Sequence, residues 1–158
     1  MLNLLSDVLN ESIQLESNLS ELYLLFSGIF PDYKEFWYQL SMEENDHAAL
    51  FRGGREYFVP MGKFPMEILG VNYLEIIKEI NSQIQSITKE FKQEPPSLIY
   101  ALNLAFQYEV SSGERIFEKA MNAKFPSKTL EIFQKLNGAN KNHAERIKKV
   151  MDALNKKE

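Results

Sequence analysis

Two tetrads, Glu44-Asn45-Asp46-His47 and Asn140-Lys141-Asn142-His143, hold the only two histidines of this 158-residue chain, and alanine follows each. A glutamate three positions before a histidine on a helix puts both side chains on one face, about one turn apart, where both reach a single metal ion. The second tetrad keeps the spacing but has a neutral amide where the first has an acid. Asn140 offers one carbonyl oxygen and cannot bridge two cations as a carboxylate does. Oxygen and imidazole donors of this kind suit iron, manganese or zinc.

The elements that must position these groups read as helices. Prolines fall only at positions 31, 60, 65, 95, 96 and 126, and between them apolar residues recur at helical rather than alternating spacing. Segment one, roughly residues 3 to 28, carries the stripe Leu5, Leu9, Ser12, Glu16, Leu19, Tyr23, Phe26. Segment two, roughly 32 to 52, carries Trp37, Leu40, Glu44, His47, Phe51 and is expected to stop at Gly53-Gly54. An irregular loop is predicted from Arg55 to Pro65, then an amphipathic crossover helix with Tyr73, Ile77, Ile80, Ile84, Ile87 and Phe91. Segment three, roughly 97 to 122, has Leu98, Leu102, Ala105, Glu109, Ser112, Ile116, Ala120. Segment four, roughly 127 to 155, has Phe133, Leu136, Asn140, His143, Ile147, Val150, Leu154.

The halves repeat one another: Glu16 corresponds to Glu109, Phe30-Pro31 to Phe125-Pro126, and Glu44-x-x-His47-Ala48 to Asn140-x-x-His143-Ala144. Each half is a predicted helical hairpin. Two hairpins joined by a long crossover make an all-α four-helix bundle, a single domain spanning residues 1 to 158, with the repeated polar residues facing one another in its core. Burying an ionised carboxylate is very costly unless it is paired or bound to a cation. Glu16, Glu44, His47, Glu109 and His143, all on apolar stripes, are therefore expected to form one interior cluster. Glu21, Glu43 and Glu114 lie off or at the margin of the stripes and are expected on solvated faces. Tyr23 is expected to be a core aromatic, with a hydrogen bond to a ligand as its other use.

Composition sets the outer limits. Hydrophobic residues at 44%, charged residues at 25% and a net charge of -4 describe an ordinary globular protein and argue against nucleic acid as a partner. With no cysteine there is no disulfide, no thiolate metal site and no thiol nucleophile. The first residues lack a secretory pattern and no stretch has the length of a membrane span, so a cytoplasmic location without a membrane partner is expected.

One glutamate from each of two helices, with a glutamate-x-x-histidine from the others, resembles the ferritin-like di-iron carboxylate proteins. Within them the chain is most similar to rubrerythrin-type domains, over about Leu5 to Leu154. The most specific text is Ala101-Leu102-Asn103-Leu104-Ala105-Phe106-Gln107-Tyr108-Glu109 together with Glu44-x-x-His47. The resemblance implies iron held by Glu16 with His47 on one side and Glu109 with His143 on the other, Glu44 bridging. Asn140 stands at the second bridging position, and Ser112 where some rubrerythrins carry a further acidic ligand. Counted this way, three carboxylates face two ferrous ions, which leaves an excess of positive charge. Rubrerythrins add a cysteine-rich iron domain, so redox cycling here implies an external electron donor.

Two functions follow as expectations, the first with one or two ions bound, a single ion being expected on Glu16 and Glu44 with His47 while the Asn140 side stays vacant. In one, the chain is an iron-binding oxidoreductase that reacts with peroxide or dioxygen. In the other, it is a degenerate, metal-poor bundle acting as a binding or structural module. Tyr33, Phe36, Trp37 and Tyr38 are expected in the core, with homodimer contacts as their other use.

Overall fold

Helix α1, Leu2–Ile29, runs without interruption and buries Val8, Leu9, Leu15, Leu19, Leu22 and Phe26, with Ser12, Glu16 and Asn18 buried among them. A 3-10 turn at Pro31–Tyr33 reverses the chain into α2, Lys34–Phe58, which lies against α1. Two short turns at Met66–Ile68 and Val71–Tyr73 lead to the crossover helix α3, Leu74–Gln93. Then come α4 (Leu98–Glu109), α5 (Ser112–Met121), α6 (Lys128–Asn137) and α7 (His143–Asn155). The computed structural model describes residues 2–138 and 142–157, and among these every regular element is helical. No described helix is long and apolar enough to cross a membrane.

Three of the expected segments end differently. Helix α2 continues through Gly53-Gly54 to Phe58 instead of stopping at the glycines. Segment three is broken into α4 and α5, and segment four into α6 and α7. At the second break Gly138 adopts φ +74, the left-handed region open to glycine, and ends α6; α7 begins only at His143, capped by Asn142 accepting from the Glu145 amide at 2.9 Å. Asn140, paired with His143 in the sequence reading, lies outside the described residues.

Packing explains why α2 tolerates its glycines. Gly54 is buried where α2 meets α6, and a Cβ there would lie closer to the Phe133 ring than van der Waals contact permits and 3.0 Å from Phe64 Cε2. Gly53, exposed, has nothing within 4 Å. Replacing Gly54 with alanine is expected to cost about 1–3 kcal/mol through overpacking. Alanine at Gly53 should instead stabilise by roughly 0.5–1 kcal/mol through helix propensity. Chemical denaturation of the two variants checks the opposite signs.

The apolar core is in two parts. One cluster takes Leu15, Leu19, Leu22, Tyr23 and Phe26 of α1 with Trp37 and Leu40 of α2, residues of α4, and Ile147 of α7. The other takes Val8, Leu9 and Ile13 of α1 with Phe51 and Phe58 of α2, Phe117 of α5 and Phe133 of α6. Helix α3 is pinned to α1 by Asn81, whose Nδ2 donates to the Glu11 carbonyl at 3.0 Å and the Glu11 carboxylate at 2.8 Å. Its Ile77, Ile84 and Phe91 complete the first cluster. Glu44 falls in sequence between the α2 residues of the two clusters, and Glu16 lies between Leu15 and Leu19 of the first.

Candidate metal centre

Two serines set the level at which the polar side chains meet. Ser20 Oγ donates to the Ser41 carbonyl at 2.8 Å and Ser41 Oγ returns a hydrogen bond to the Ser20 carbonyl at 2.7 Å, holding α1 and α2 close. Glu16 lies one turn before Ser20 and Glu44 about one turn after Ser41, so in this antiparallel pair the two carboxylates arrive at the same height. His47, the next turn of α2, brings Nδ1 to 3.5 Å from both Glu16 Oε2 and Glu44 Oε2. The His47 ring leans on Phe117, with centroids 4.6 Å apart, and stacks on the His143 ring at 5.6 Å.

The third helix supplies two acids because it is broken. Residues five apart on an unbroken α-helix point about 140° away from each other, so Glu109 and Glu114 could not both face inward. Val110 closes α4, and Ser111 is extended at φ -65, ψ 161 before α5 begins. The phase is reset between them. Glu109 and Glu114 are each only 5% exposed, which corrects the expectation that Glu114 sits on a solvated face.

Two groups of donors result, and Glu44 belongs to both. Glu16, Glu44, His47 and Glu114 each place a ligand atom within 4.8 Å of the others, and so do Glu44, Glu109 and His143. His143 Nδ1 is 2.5 Å from Glu44 Oε1 and 3.5 Å from Glu109 Oε2. Its other nitrogen, Nε2, is 3.4 Å from Glu43 Oε2, which also accepts from Arg146 Nη1 at 2.5 Å. Glu43, expected on a solvated face, therefore orients the His143 ring. Such an acid behind a histidine fixes which ring nitrogen faces a metal. Tyr23, fully buried against Trp37, donates from its hydroxyl to Glu109 Oε1 at 2.6 Å. Tyr23 is the expected core aromatic, and its hydroxyl is bonded to one of the clustered acids.

The acids do not share one charge state. Burial pushes Glu16 well above the ordinary carboxyl range, and the nearby charges of Glu114 and Glu44 add to it. Glu114 is raised for the same reason, with Glu44 and Glu109 adding. Burial and the Glu44 charge raise Glu109 to about 7, His143 and Tyr23 pulling it partly back. Glu44 goes the other way: burial opposes its ionisation, but the His143 charge and the close polar groups of Glu16 and His47 hold it well below the usual range. His143 answers in kind, since Glu44 and Glu109 outweigh the burial that disfavours a charged ring. Glu43 is brought down to about 2, burial being overcome by hydrogen bonds from His143 and Arg146. Without a metal, the cluster favours charge on the His143–Glu44 pair and disfavours it on Glu16 and Glu114.

Several of these buried atoms lack a hydrogen-bond partner: Glu16 Oε2, both Glu44 oxygens, His47 Nδ1 and Glu114 Oε1. For Glu44 Oε1 the short approach of His143 Nδ1 supplies an ion pair. Glu16 Oε2 and Glu44 Oε2 have the longer approach of His47 Nδ1, 3.5 Å from each. Buried polar atoms left this way are costly, and a convergent set of them fits a hard divalent cation. With Glu114 the donors carry four carboxylates, Glu16, Glu44, Glu109 and Glu114. The charge shortfall counted from three carboxylates disappears.

All five residues expected in the interior cluster are in it, and Glu21 is exposed as expected, beside Lys92 at 3.3 Å. The signal for the missed Glu114 was present in the sequence. Ser111-x-x-Glu114 has the spacing that opens a helix, after a Val-Ser-Ser-Gly run that propagates one poorly. In the structure Ser111 makes no side-chain cap, and Glu114 turns inward. The chain matches no family model, and neither the curated proteins nor the solved structures include a match to it.

Proposed function

We propose that the chain is a ferritin-like di-metal carboxylate protein, rubrerythrin-like in type, which holds iron and reacts with peroxide or dioxygen using electrons from an external donor. The observation that carries this is the pair of donor groups joined through Glu44, one of them rich in buried atoms without partners. Glu16, Glu44, His47 and Glu114 would hold one ion, and Glu44, Glu109 and His143 the other. Bound iron would supply the redox chemistry. The protein's share is to exclude water, to fix the ligands through Tyr23, Glu43 and Arg146, and to keep a phenol hydroxyl hydrogen-bonded to Glu109 at 2.6 Å between oxygens. The absence of cysteine supports an electron source outside this chain. Hairpins α1–α2 and α4–α7, each pair in contact, with α3 crossing between them, are the basis for the ferritin-like arrangement.

One observation favours a second reading. The His143–Glu44 pair at 2.5 Å already satisfies part of the cluster without any metal, as a degenerate bundle with a structural polar core would. The two separate on reconstitution with ferrous iron under anaerobic conditions. A metal-binding protein should retain one to two ions per chain, consume peroxide, and melt about 5–10 °C higher at a hundredfold excess of metal over Kd. Iron retention no higher than that of a Glu44→Ala, His47→Ala double variant, with unchanged melting, would establish the structural reading instead.

A further inference from the structure

We infer that the two half-sites load in a fixed order: the first cation goes to Glu16, Glu44, His47 and Glu114, and the second, held more weakly, to Glu44, Glu109 and His143. This rests on the metal-binding reading above and goes beyond it by assigning unequal roles to the halves.

The halves differ in what a cation would gain from them. In the first, Glu16 Oε2, Glu44 Oε2, His47 Nδ1 and Glu114 Oε1 are all buried and have no hydrogen-bond partner. One ion would satisfy four atoms at once, replacing the 3.5 Å approaches of His47 Nδ1 to Glu16 Oε2 and Glu44 Oε2. In the second, the donors are already occupied. Tyr23 holds Glu109 Oε1 at 2.6 Å, Glu44 Oε1 is 2.5 Å from His143 Nδ1, and the Arg146–Glu43 pair holds the far side of the His143 ring. A cation entering there must break the His143–Glu44 ion pair before it can use either atom.

Ligand number and charge point the same way. The first half offers three carboxylates and an imidazole, the second two carboxylates and an imidazole, one of those carboxylates being the Glu44 already shared. Two ions bridged by a common carboxylate also repel each other at short range, which weakens whichever binds second. At limiting metal, the chain would hold one ion on the Glu114 side, faced by Tyr23, Glu109 and His143.

Titration of the metal-free protein with Co2+ alone, followed by calorimetry and by the visible absorption of the bound ion, tests the order. Two steps are expected, with dissociation constants about tenfold or more apart. Glu114→Gln should remove the tight step and leave a weak one, whereas Glu109→Gln should leave the tight step and remove the weak one. Both changes are isosteric, and Glu16→Gln provides a second variant for the tight half should Glu114→Gln fail to fold. Two steps of equal strength, or loss of the tight step in Glu109→Gln with its retention in Glu114→Gln, would overturn the order while leaving metal binding intact. No Co2+ bound by the wild-type chain would overturn the metal reading itself, and the order with it.

Discussion

Glu44→Gln is expected to weaken both metal-binding steps by at least about 100-fold, because Glu44 is the one side chain common to both donor groups. It is fully buried, so no surface residue can take its place. The substitution keeps the shape and removes the charge, which also deprives His143 of its closest partner at 2.5 Å. Breaking one side of a buried pair costs about 3 kcal/mol at a pH where the ring is charged. The metal-free variant should therefore melt lower than wild type at mildly acid pH, and the gap should narrow at alkaline pH, where His143 can stay neutral. Glu21→Gln is the control: its side chain is 60% exposed, and neither metal binding nor stability should change measurably. Calorimetry and thermal melts on the two variants decide the matter, and a Glu44→Gln protein that still binds two ions tightly would remove Glu44 from the bridging role.

The second large effect is a pH dependence of opposite sign in the metal-free and metal-loaded protein. Glu16, Glu109 and Glu114 are raised above 4.5, and His143 above 6.5. For these groups the folded chain holds protons that the unfolded chain releases, so their stabilisation is full at low pH and is lost as pH climbs through the folded values. Glu109, raised to about 7, loses on the order of 3 kcal/mol between about pH 4.5 and pH 7. Glu43 and Glu44, held below 4.5, act in the opposite sense, with stabilisation present above that value and lost as pH falls, for Glu43 through about 2. Metal-free protein should thus be most stable near about pH 5 and lose roughly 6–12 °C in Tm by about pH 8. Metal binding must expel those same protons, so the stabilisation that metal confers should be small at pH 5 and grow toward pH 8. Melting curves with chelator and with added metal across this range test both slopes. A metal-free Tm that climbs steadily from pH 5 to pH 8 would mean that the acids are ionised in the folded chain.

Glu114 and Glu43 mark where reading by periodicity stops. A helical stripe assumes one phase along the whole segment, and the extended Ser111 breaks that phase. Every residue from Gly113 to Met121 is then rotated relative to α4, and Glu114 moves from the margin to the interior. Glu43 fails for a different reason. It is on the edge of the α2 stripe by any count, and only the arrival of α7, carrying His143 and Arg146, turns that edge into a contact. Gly53-Gly54 is a third case, in which local propensity favours an end and the close seat of Phe133 on Gly54 makes a glycine useful inside a helix.

Residue type and spacing alone determined that the chain is helical, that α3 is a separate amphipathic crossover, and that Glu16, Glu44, His47, Glu109 and His143 gather inside. They did so because a helix turns by a constant angle per residue and buried carboxylates need partners, both of which are local rules. Tertiary structure decided the number of carboxylates in the cluster and the contacts that Tyr23 and Glu43 make with Glu109 and His143. Each depends on where one helix stops and the next begins relative to neighbours distant in sequence. That relation is set by packing, at Ser20 against Ser41, Phe133 against Gly54 and α7 against α4.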